Sequence, residues 1–595
     1  MTVRKVRRSQ VVSPFGPGAI IDLVGESFVA EDISRWPYSR QNIAFPRLAA
    51  YLEVQTLSTP PPDGHLPYYR FPQWLFCPSC RHMMRWNTTK ESEGQAPVCL
   101  SCVDTRQLVP MRFVAVCGNG HLSDLDWKRW CHSESSNREQ YQCQATTLSF
   151  VNRPDVGGGL RSLEVHCRTC RAKRSLHNLT AKMSLRQVGL SCSGRQPWQS
   201  QSDAQDCKEF PVAMQRGASS VYFPKVVSAI DIPPESAWVH VSAPATRLMQ
   251  VDEFRLLLNE QDHPLRDALL SLIADRTEIQ RSEVEQVLAS QLRAEAEISR
   301  PGSPNDIFPD EWEALRAPQE SHDPRDHFIT RRAERTNAEV VTPAVQAAVD
   351  SVLSDVVLVD RLREVRVLTG FERHTMQGMV PSNLSPNPDD LPAVEVFGEG
   401  FFLSFDEDAV REWETRPQVE ERCARIVNRQ QMHATWLEKP TPRYLLFHTL
   451  AHLLLRNTAF EAGYSTSALR ERLYMTRPDE PPAMAGILVY TAAGDTEGTL
   501  GGLVRLGELP RLARLLAASV ADAQWCSFDP VCSESTGQGP GGLSLAACHA
   551  CSLVPETSCV AGNRLLDRRL VIDREFGFLR RLVREVGEAP TQGTW

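Results

Sequence analysis

Apolar residues recur at helical spacing between Val251 and Ile298. Phe254, Leu256, Leu257 and Leu258 come first, then Leu269, Leu270, Leu272 and Ile273, then Val284, Val287, Leu288 and Leu292. Positions three and four apart share one helix face, so this stretch predicts helices. Pro301, Pro304 and Pro309 break the pattern. The charged stretch 318–335 reads as exposed or mobile, and a second helical stretch is expected over 343–364. Elsewhere short apolar runs predict buried strands: 112–117, two strands with a turn over 395–403, and Ile487 to Tyr490. Helices are expected around His448 to His452 and over 508–520. The pattern predicts an α+β multidomain chain with small cysteine-bearing modules first, a helical middle and a C-terminal α/β domain. The expected divisions are 1–70, 71–225, 226–380 and 381–595.

Composition narrows the class. The 595 residues suffice for about three to five domains. A net charge of −8 excludes a uniformly basic nucleic-acid coat but not a local basic face. No apolar run approaches the roughly 18 residues of a membrane helix. Met1 to Arg8 is basic without an apolar core, so no secretory signal is expected. There are 17 cysteines, many in C-x-x-C pairs, which favours metal in a reducing compartment over disulfides. A cytoplasmic location is the expectation.

The cysteine spacing is the main chemistry. Cys77 and Cys80, with Cys99 and Cys102, form two C-x-x-C pairs, a zinc-ribbon pattern with each pair on a turn between short strands. Cys167 and Cys170 open a second module, with Cys192 and Cys207 as the expected partners. Near the C-terminus, Cys548 and Cys551 are flanked by Cys532 and Cys559, with Cys526 competing with Cys532. These sets predict about three structural Zn2+ ions, because metal binding supplies folding free energy that so small a core lacks. Cys131, His132 and Cys143 could join Cys117 in a further site. His121 and Asp124 fit either a catalytic or metal role or a hydrogen-bonded corner. Around the second and third modules lie Arg168, Arg171, Lys173 and Arg174, and Arg564, Arg568 and Arg569. These are candidate phosphate contacts for DNA.

No Gly-Lys-Ser/Thr follows a glycine loop, so no nucleotide-hydrolysing core is expected, although Phe401 to Glu407 mimics a Walker B strand. The loop Phe15-Gly16-Pro17-Gly18-Ala19 reads as a structural turn or a partner-docking loop rather than a phosphate cradle. His448 and His452 lie at i and i+4, but Thr449 stands where zinc proteases need Glu, so a core helix is favoured. With Asp495 and Glu497 they make the one enzymatic constellation, a metal-dependent hydrolase or nuclease.

The pattern Cys532…Cys548-His549-Ala550-Cys551…Cys559…Asn563-Arg564-Leu565-Leu566-Asp567-Arg568 resembles the MrfA-like zinc-binding domain that accompanies helicases. Ser9-Gln10 with the 15–19 loop, Cys117 with Gly120-His121, Asp124 and Trp127, Pro197-Trp198, and Thr369-Gly370-Phe371-Glu372-Arg373 resemble the DrmB family of DISARM anti-phage systems in bacteria. The resemblance implies a non-catalytic accessory subunit that binds a DrmA-like SF2-type helicase and promotes its engagement of DNA. The competing readings are the hydrolase above and a zinc-stabilised DNA-binding protein that works alone.

Overall fold

The computed structural model describes residues 6–587 apart from 62–63, 93, 135–142, 144–146, 233–247, 249–250, 260–263, 278, 283, 286, 289–306, 319–325, 335–340, 375–377, 387, 434–436, 438, 477–481 and 492–500. By internal contacts it forms two units. The first is Met1–Ile43, Val54–Val227 and Arg366–Val394; the second is Ala44–Glu53, Ser228–Val365 and Glu395–Trp595.

The first unit is built from small, mainly antiparallel sheets. Six strands run in the order Lys173–Ser175, Leu163–Cys167, Leu148–Asn152, His82–Arg85, Trp74–Phe76 and Val109–Pro110. Three more run Leu122–Asp124, Phe113–Val116 and Val212–Gln215. Helix Trp127–His132 packs Trp127 and Trp130 into the core of this region, beside Leu148 and Val165. Such short strands bury little apolar area, so something besides a core must hold them.

A second core in this unit gathers segments far apart in sequence. Val29, Phe71, Val114, Leu122, Trp198, Val221 and Phe371 pack together. Trp198 donates its indole N–H to Asp32 at 2.9 Å. The wholly buried Arg373 donates to the carbonyls of Gly120 at 3.0 Å, Val221 at 2.7 Å and Gly18 at 2.7 Å. Its guanidinium also lies 4.5 Å from the centre of the Phe371 ring. Gly18 has φ +84, and a Cβ there would stand 2.3 Å from Phe371. The 15–19 loop is therefore a turn clamped by Phe371 and Arg373.

The second unit is a sheet covered by helices. Within it Glu395 to Phe405 pairs with Ala485–Thr491, which pairs with Leu469–Met475, all antiparallel. Helix Pro442–Ala462 lies on this sheet and buries Leu446, Phe447, Leu450, Leu453 and Leu454. Each such side chain contributes roughly 1.5–3 kcal/mol. Helices Leu509–Ala523 and Arg580–Gly587 complete the core, and Trp413 donates to the Phe576 carbonyl at 2.8 Å.

Three expectations change here. The helix expected over 343–364 ends at Asp350, and Leu353 begins a strand that runs to Glu372. Val356, Val357, Leu358 and Val359 are all buried, as in a strand covered on both faces, where a continuous apolar run hides its period. The two strands expected over 395–403 are one, Asp390–Phe405. Gly398 and Gly400 mark no turn; a Cβ at Gly400 would meet the Val489 carbonyl at 2.2 Å, so they allow close strand approach. Within the charged 318–335 stretch, Ile329–Arg332 is a strand, and Arg331 pairs with Asp360 at 2.9 Å.

The helical expectation for 251–298 is met in part. Helices Asp252–Asn259 and Arg266–Thr277 bury Phe254, Leu257, Leu270 and Ile273 with Val284 and Leu288. Leu256 and Leu272 are exposed.

Candidate metal centres

Three hairpins of the first unit end in the same device. Cys77–Cys80, Cys117–Gly120 and Cys167–Cys170 each fill the turn between two antiparallel strands. In each, the third or fourth residue after the first cysteine donates its N–H back to that cysteine's carbonyl: Arg81 to Cys77, Gly120 to Cys117 and Arg171 to Cys167. Arg81 and Arg171 take φ of 63 and 65, the left-handed values this tight reversal demands. Turn N–H groups then face the sulfurs. Burial alone would raise the Cys77 and Cys167 thiols, yet the backbone N–H groups of Cys80 and Cys170 help to bring both down to about 7. A thiolate is the form that binds metal.

Each knuckle meets partners from elsewhere in the chain. Cys77, Cys80, Cys99 and Cys102 stand within 4.8 Å of one another, with Cys77–Cys102 and Cys80–Cys99 sulfurs both 3.7 Å apart. Tetrahedral zinc with bonds of about 2.3 Å to sulfur separates its ligands by about 3.8 Å. The second module differs from the expected set. Cys167 and Cys170 meet His132 and Cys143, whereas Cys192 and Cys207 meet Cys117 and His121. His132 Nε2 is 3.2 Å from Cys170, and Nδ1 is 2.6 Å from the Lys128 carbonyl, which orients the ring. His121 Nδ1 lies 3.4 Å from Cys117 and 3.5 Å from Cys192. The hydrogen bond from Cys192 is the largest cause lowering the Cys117 thiol, to about 4, with His121 adding to it.

The structure separates 167 and 170 from 192 and 207 because a different element reaches the first pair, helix Trp127–His132. It packs on strand Leu163–Cys167 and so brings His132 to the knuckle. Its signal was the loose set Cys131, His132 and Cys143. Cys131 itself is a buried thiol donating to the Val165 and Ala172 carbonyls. Among the described residues Asp124 belongs to none of these clusters; it accepts from the Gln73 N–H at 3.1 Å, as a hydrogen-bonded corner does.

At the C-terminus Cys526, Cys532, Cys548 and Cys551 converge, with sulfurs 3.4 Å apart for 526–548 and 3.8 Å for 532–551. Cys526 and Cys532 thus both take part, and Cys559 does not. Cys559 instead faces His448 and His452 of helix Pro442–Ala462 and Glu471 of strand Leu469–Met475. Asp495 and Glu497 lie outside the described residues. The Walker-like Asp406 caps helix Glu407–Glu414, and Glu407 pairs with Arg443.

The basic residues separate. Arg168, Arg171 and Lys173 are exposed around the Cys167 knuckle, where Arg168 also donates to the Cys80 carbonyl at 2.6 Å. Arg174 is buried, stacked 3.8 Å over Trp130 and paired with Glu134 at 3.1 Å. Arg568 is buried, its Nη2 donating to both Asp529 oxygens at 2.5 and 2.7 Å, and Arg569 pairs with Asp573 at 2.5 Å. Half-buried Arg564 donates to the Ala561 and Gly562 carbonyls. Arg174, Arg568 and Arg569 each pair with a carboxylate of their own protein, those of Glu134, Asp529 and Asp573. Among the described residues no helix is long and apolar enough to cross a membrane.

Comparison with known proteins agrees with this layout. Residues 7–223 match a domain of unknown function, DUF8724, which spans the three N-terminal clusters. Residues 450–552 match the MrfA Zn-binding domain, and this segment contains Cys526, Cys532, Cys548 and Cys551 but not Cys559. The chain is 28% identical over 598 aligned residues to a DISARM protein DrmB of Bacillus paralicheniformis, covering 93% of this chain and 97% of that protein. Over nearly its whole length the chain is therefore similar to a DISARM protein DrmB, and its C-terminal cysteine cluster falls in a segment that matches the MrfA Zn-binding domain.

Proposed function

We propose that this chain is a non-catalytic accessory subunit of a DISARM-type anti-phage defence complex in the cytoplasm. It binds a DrmA-like helicase and promotes that helicase's engagement of DNA. The observation that carries the reading is the end-to-end similarity, 93% of one chain against 97% of the other. A shared domain alone would leave the rest of the protein free to differ.

In this reading zinc fills the four cysteine-rich clusters and is structural. Each cluster supplies four protein ligands, the closed arrangement of sites that support folding rather than catalysis. The metal would lock short hairpins that bury little apolar surface.

The DNA contribution falls to Arg168, Arg171 and Lys173. They are exposed on one rigid knuckle, so little ordering is needed when they meet phosphates. With a net charge of −8 the chain binds DNA weakly by itself, and the helicase supplies most of the affinity.

The test is co-expression with the neighbouring helicase, followed by purification and DNA binding across a salt series. Changing Arg168, Arg171 and Lys173 together to Gln should leave assembly intact and weaken DNA binding. The salt slope should become shallower by about 2–3, since each phosphate contact contributes roughly 0.9. Failure to co-purify refutes the helicase role. Unchanged DNA affinity refutes the DNA role of this knuckle.

A further inference from the structure

Glu471 belongs to a second C-terminal cluster, of which His452 and Glu471 fall inside the segment matching the MrfA Zn-binding domain and His448 and Cys559 outside it. His448 and His452 project from one face of helix Pro442–Ala462, Glu471 from the neighbouring strand, and Cys559 from the loop beyond the four-cysteine cluster. His448 and His452 are wholly buried and Glu471 nearly so. The four donor atoms lie within 4.8 Å of one another. His448 Nε2 is 3.1 Å from the Cys559 sulfur and 3.2 Å from a Glu471 oxygen. His452 Nε2 is 3.7 Å from the same oxygen.

The surroundings prepare these atoms as lone-pair donors. His452 Nδ1 lies 2.9 Å from the Ser552 carbonyl and His448 Nδ1 lies 3.3 Å from the Leu565 carbonyl. A carbonyl accepts, so each Nδ1 carries the proton, which turns the Nε2 lone pair of a neutral ring inward. The Cys559 sulfur accepts from the Asn563 N–H at 3.1 Å and the Ala561 N–H at 3.4 Å, the setting of a thiolate. Glu471 accepts from the Val560 N–H at 3.1 Å through one oxygen.

Two ways of filling the cluster can be compared. If protons fill it, both imidazoles are cationic and offset Glu471 and Cys559. That leaves His452 Nε2 and the second Glu471 oxygen buried without a hydrogen-bond partner. Each such orphan has lost its water without gaining a hydrogen bond in return. A divalent ion at the centre meets one donor atom from each of the four side chains at once and gives the His452 Nε2 a partner. Zinc bonded to nitrogen at about 2.0 Å and to sulfur at about 2.3 Å spaces its ligands about 3.3–3.6 Å apart, close to the observed separations.

We propose that His448, His452, Glu471 and Cys559 form a closed zinc site, distinct from the four-cysteine cluster. Four protein ligands leave no open position for water or substrate, so the site fastens helix Pro442–Ala462, strand Leu469–Met475 and the 559–563 loop together. Ser552, whose carbonyl orients His452, directly follows Cys551. The two C-terminal sites thus share one segment of chain.

The test compares metal content of the full chain with that of Cys559→Ala and His452→Gln, by elemental analysis of purified protein. Each variant should lose one zinc per chain relative to the unsubstituted protein. A folded variant with unchanged zinc content overturns the proposal. Because a variant could fail to fold, the unsubstituted protein supplies the second measurement. Anomalous diffraction across the zinc absorption edge should show a peak bonded to all four side chains. Its absence there overturns the proposal and leaves the proton-filled cluster.

Discussion

Replacing Arg373 by Met should loosen three distant segments of the first unit at once. The guanidinium is wholly buried and satisfies the carbonyls of Gly18, Gly120 and Val221 at 3.0 Å or less. Hydrogen bonds to a charged donor contribute about 1.5–3 kcal/mol each, and an orphaned carbonyl costs about 1–3 kcal/mol. Against that loss, Met removes a buried charge whose burial pushes its pKa down to about 9, with no carboxylate hydrogen-bonded to it to offset the desolvation. The net expectation is a loss of about 3–5 kcal/mol. Arg373→Lys keeps the charge but not the fork that reaches three carbonyls, so it should fall between the two. A multidomain chain does not unfold in one step, so the measurement is hydrogen exchange resolved by peptide. Peptides covering 16–20, 117–122 and 219–223 should exchange about 150- to 5,000-fold faster, the factor that about 3–5 kcal/mol represents, while strands Leu469–Met475 and Ala485–Thr491 keep their protection. An acceleration below tenfold in all three peptides, or an equal one in the second unit, would refute the keystone role of Arg373.

Two further outcomes test the packing. Arg443 is fully buried and bidentate to Glu414, with Glu407 as a second partner. Arg443→Met should cost about 3–5 kcal/mol by leaving Glu414 buried and unpaired, and Glu414→Leu added to it should recover most of the loss; hydrogen exchange of peptides over 407–414 and 442–450 in the single and double variants checks this. Asp124 is raised to about 6, burial outweighing the Gln73 and Trp74 N–H groups and the charge of Arg85. Its folded pKa lies above the unfolded value of about 3.9, so its stabilising share is full below that value and is lost as pH rises through 6. The stability difference between the unsubstituted chain and Asp124→Asn should therefore grow in favour of Asp124 as pH falls from 7 to 5. A difference flat across that range would sink the assignment.

What could be read from the order of residues was local. Cys77-x-x-Cys80, Cys167-x-x-Cys170 and Cys548-x-x-Cys551 announce tight turns because two sulfurs three residues apart can face one point. The first ligand set was complete in this sense, since both of its pairs are local. The motifs around the 15–19 loop, Pro197-Trp198 and 369–373 also stood out, but not that Arg373 and Phe371 draw them together. Partner choice was decided by packing. His132 joins Cys167 because its helix lies on the strand that carries that cysteine, and Cys559 joins His448 because its loop folds against helix Pro442–Ala462. No spacing rule reaches across the 111 residues between His448 and Cys559. Glu471 gave no signal, since a lone glutamate in a strand pattern usually faces solvent; only its burial between two histidines distinguishes it. The basic clusters show the same limit. Sequence supplies the charge, but the fold decides which arginines stand beside a carboxylate, as Arg174, Arg568 and Arg569 do beside Glu134, Asp529 and Asp573.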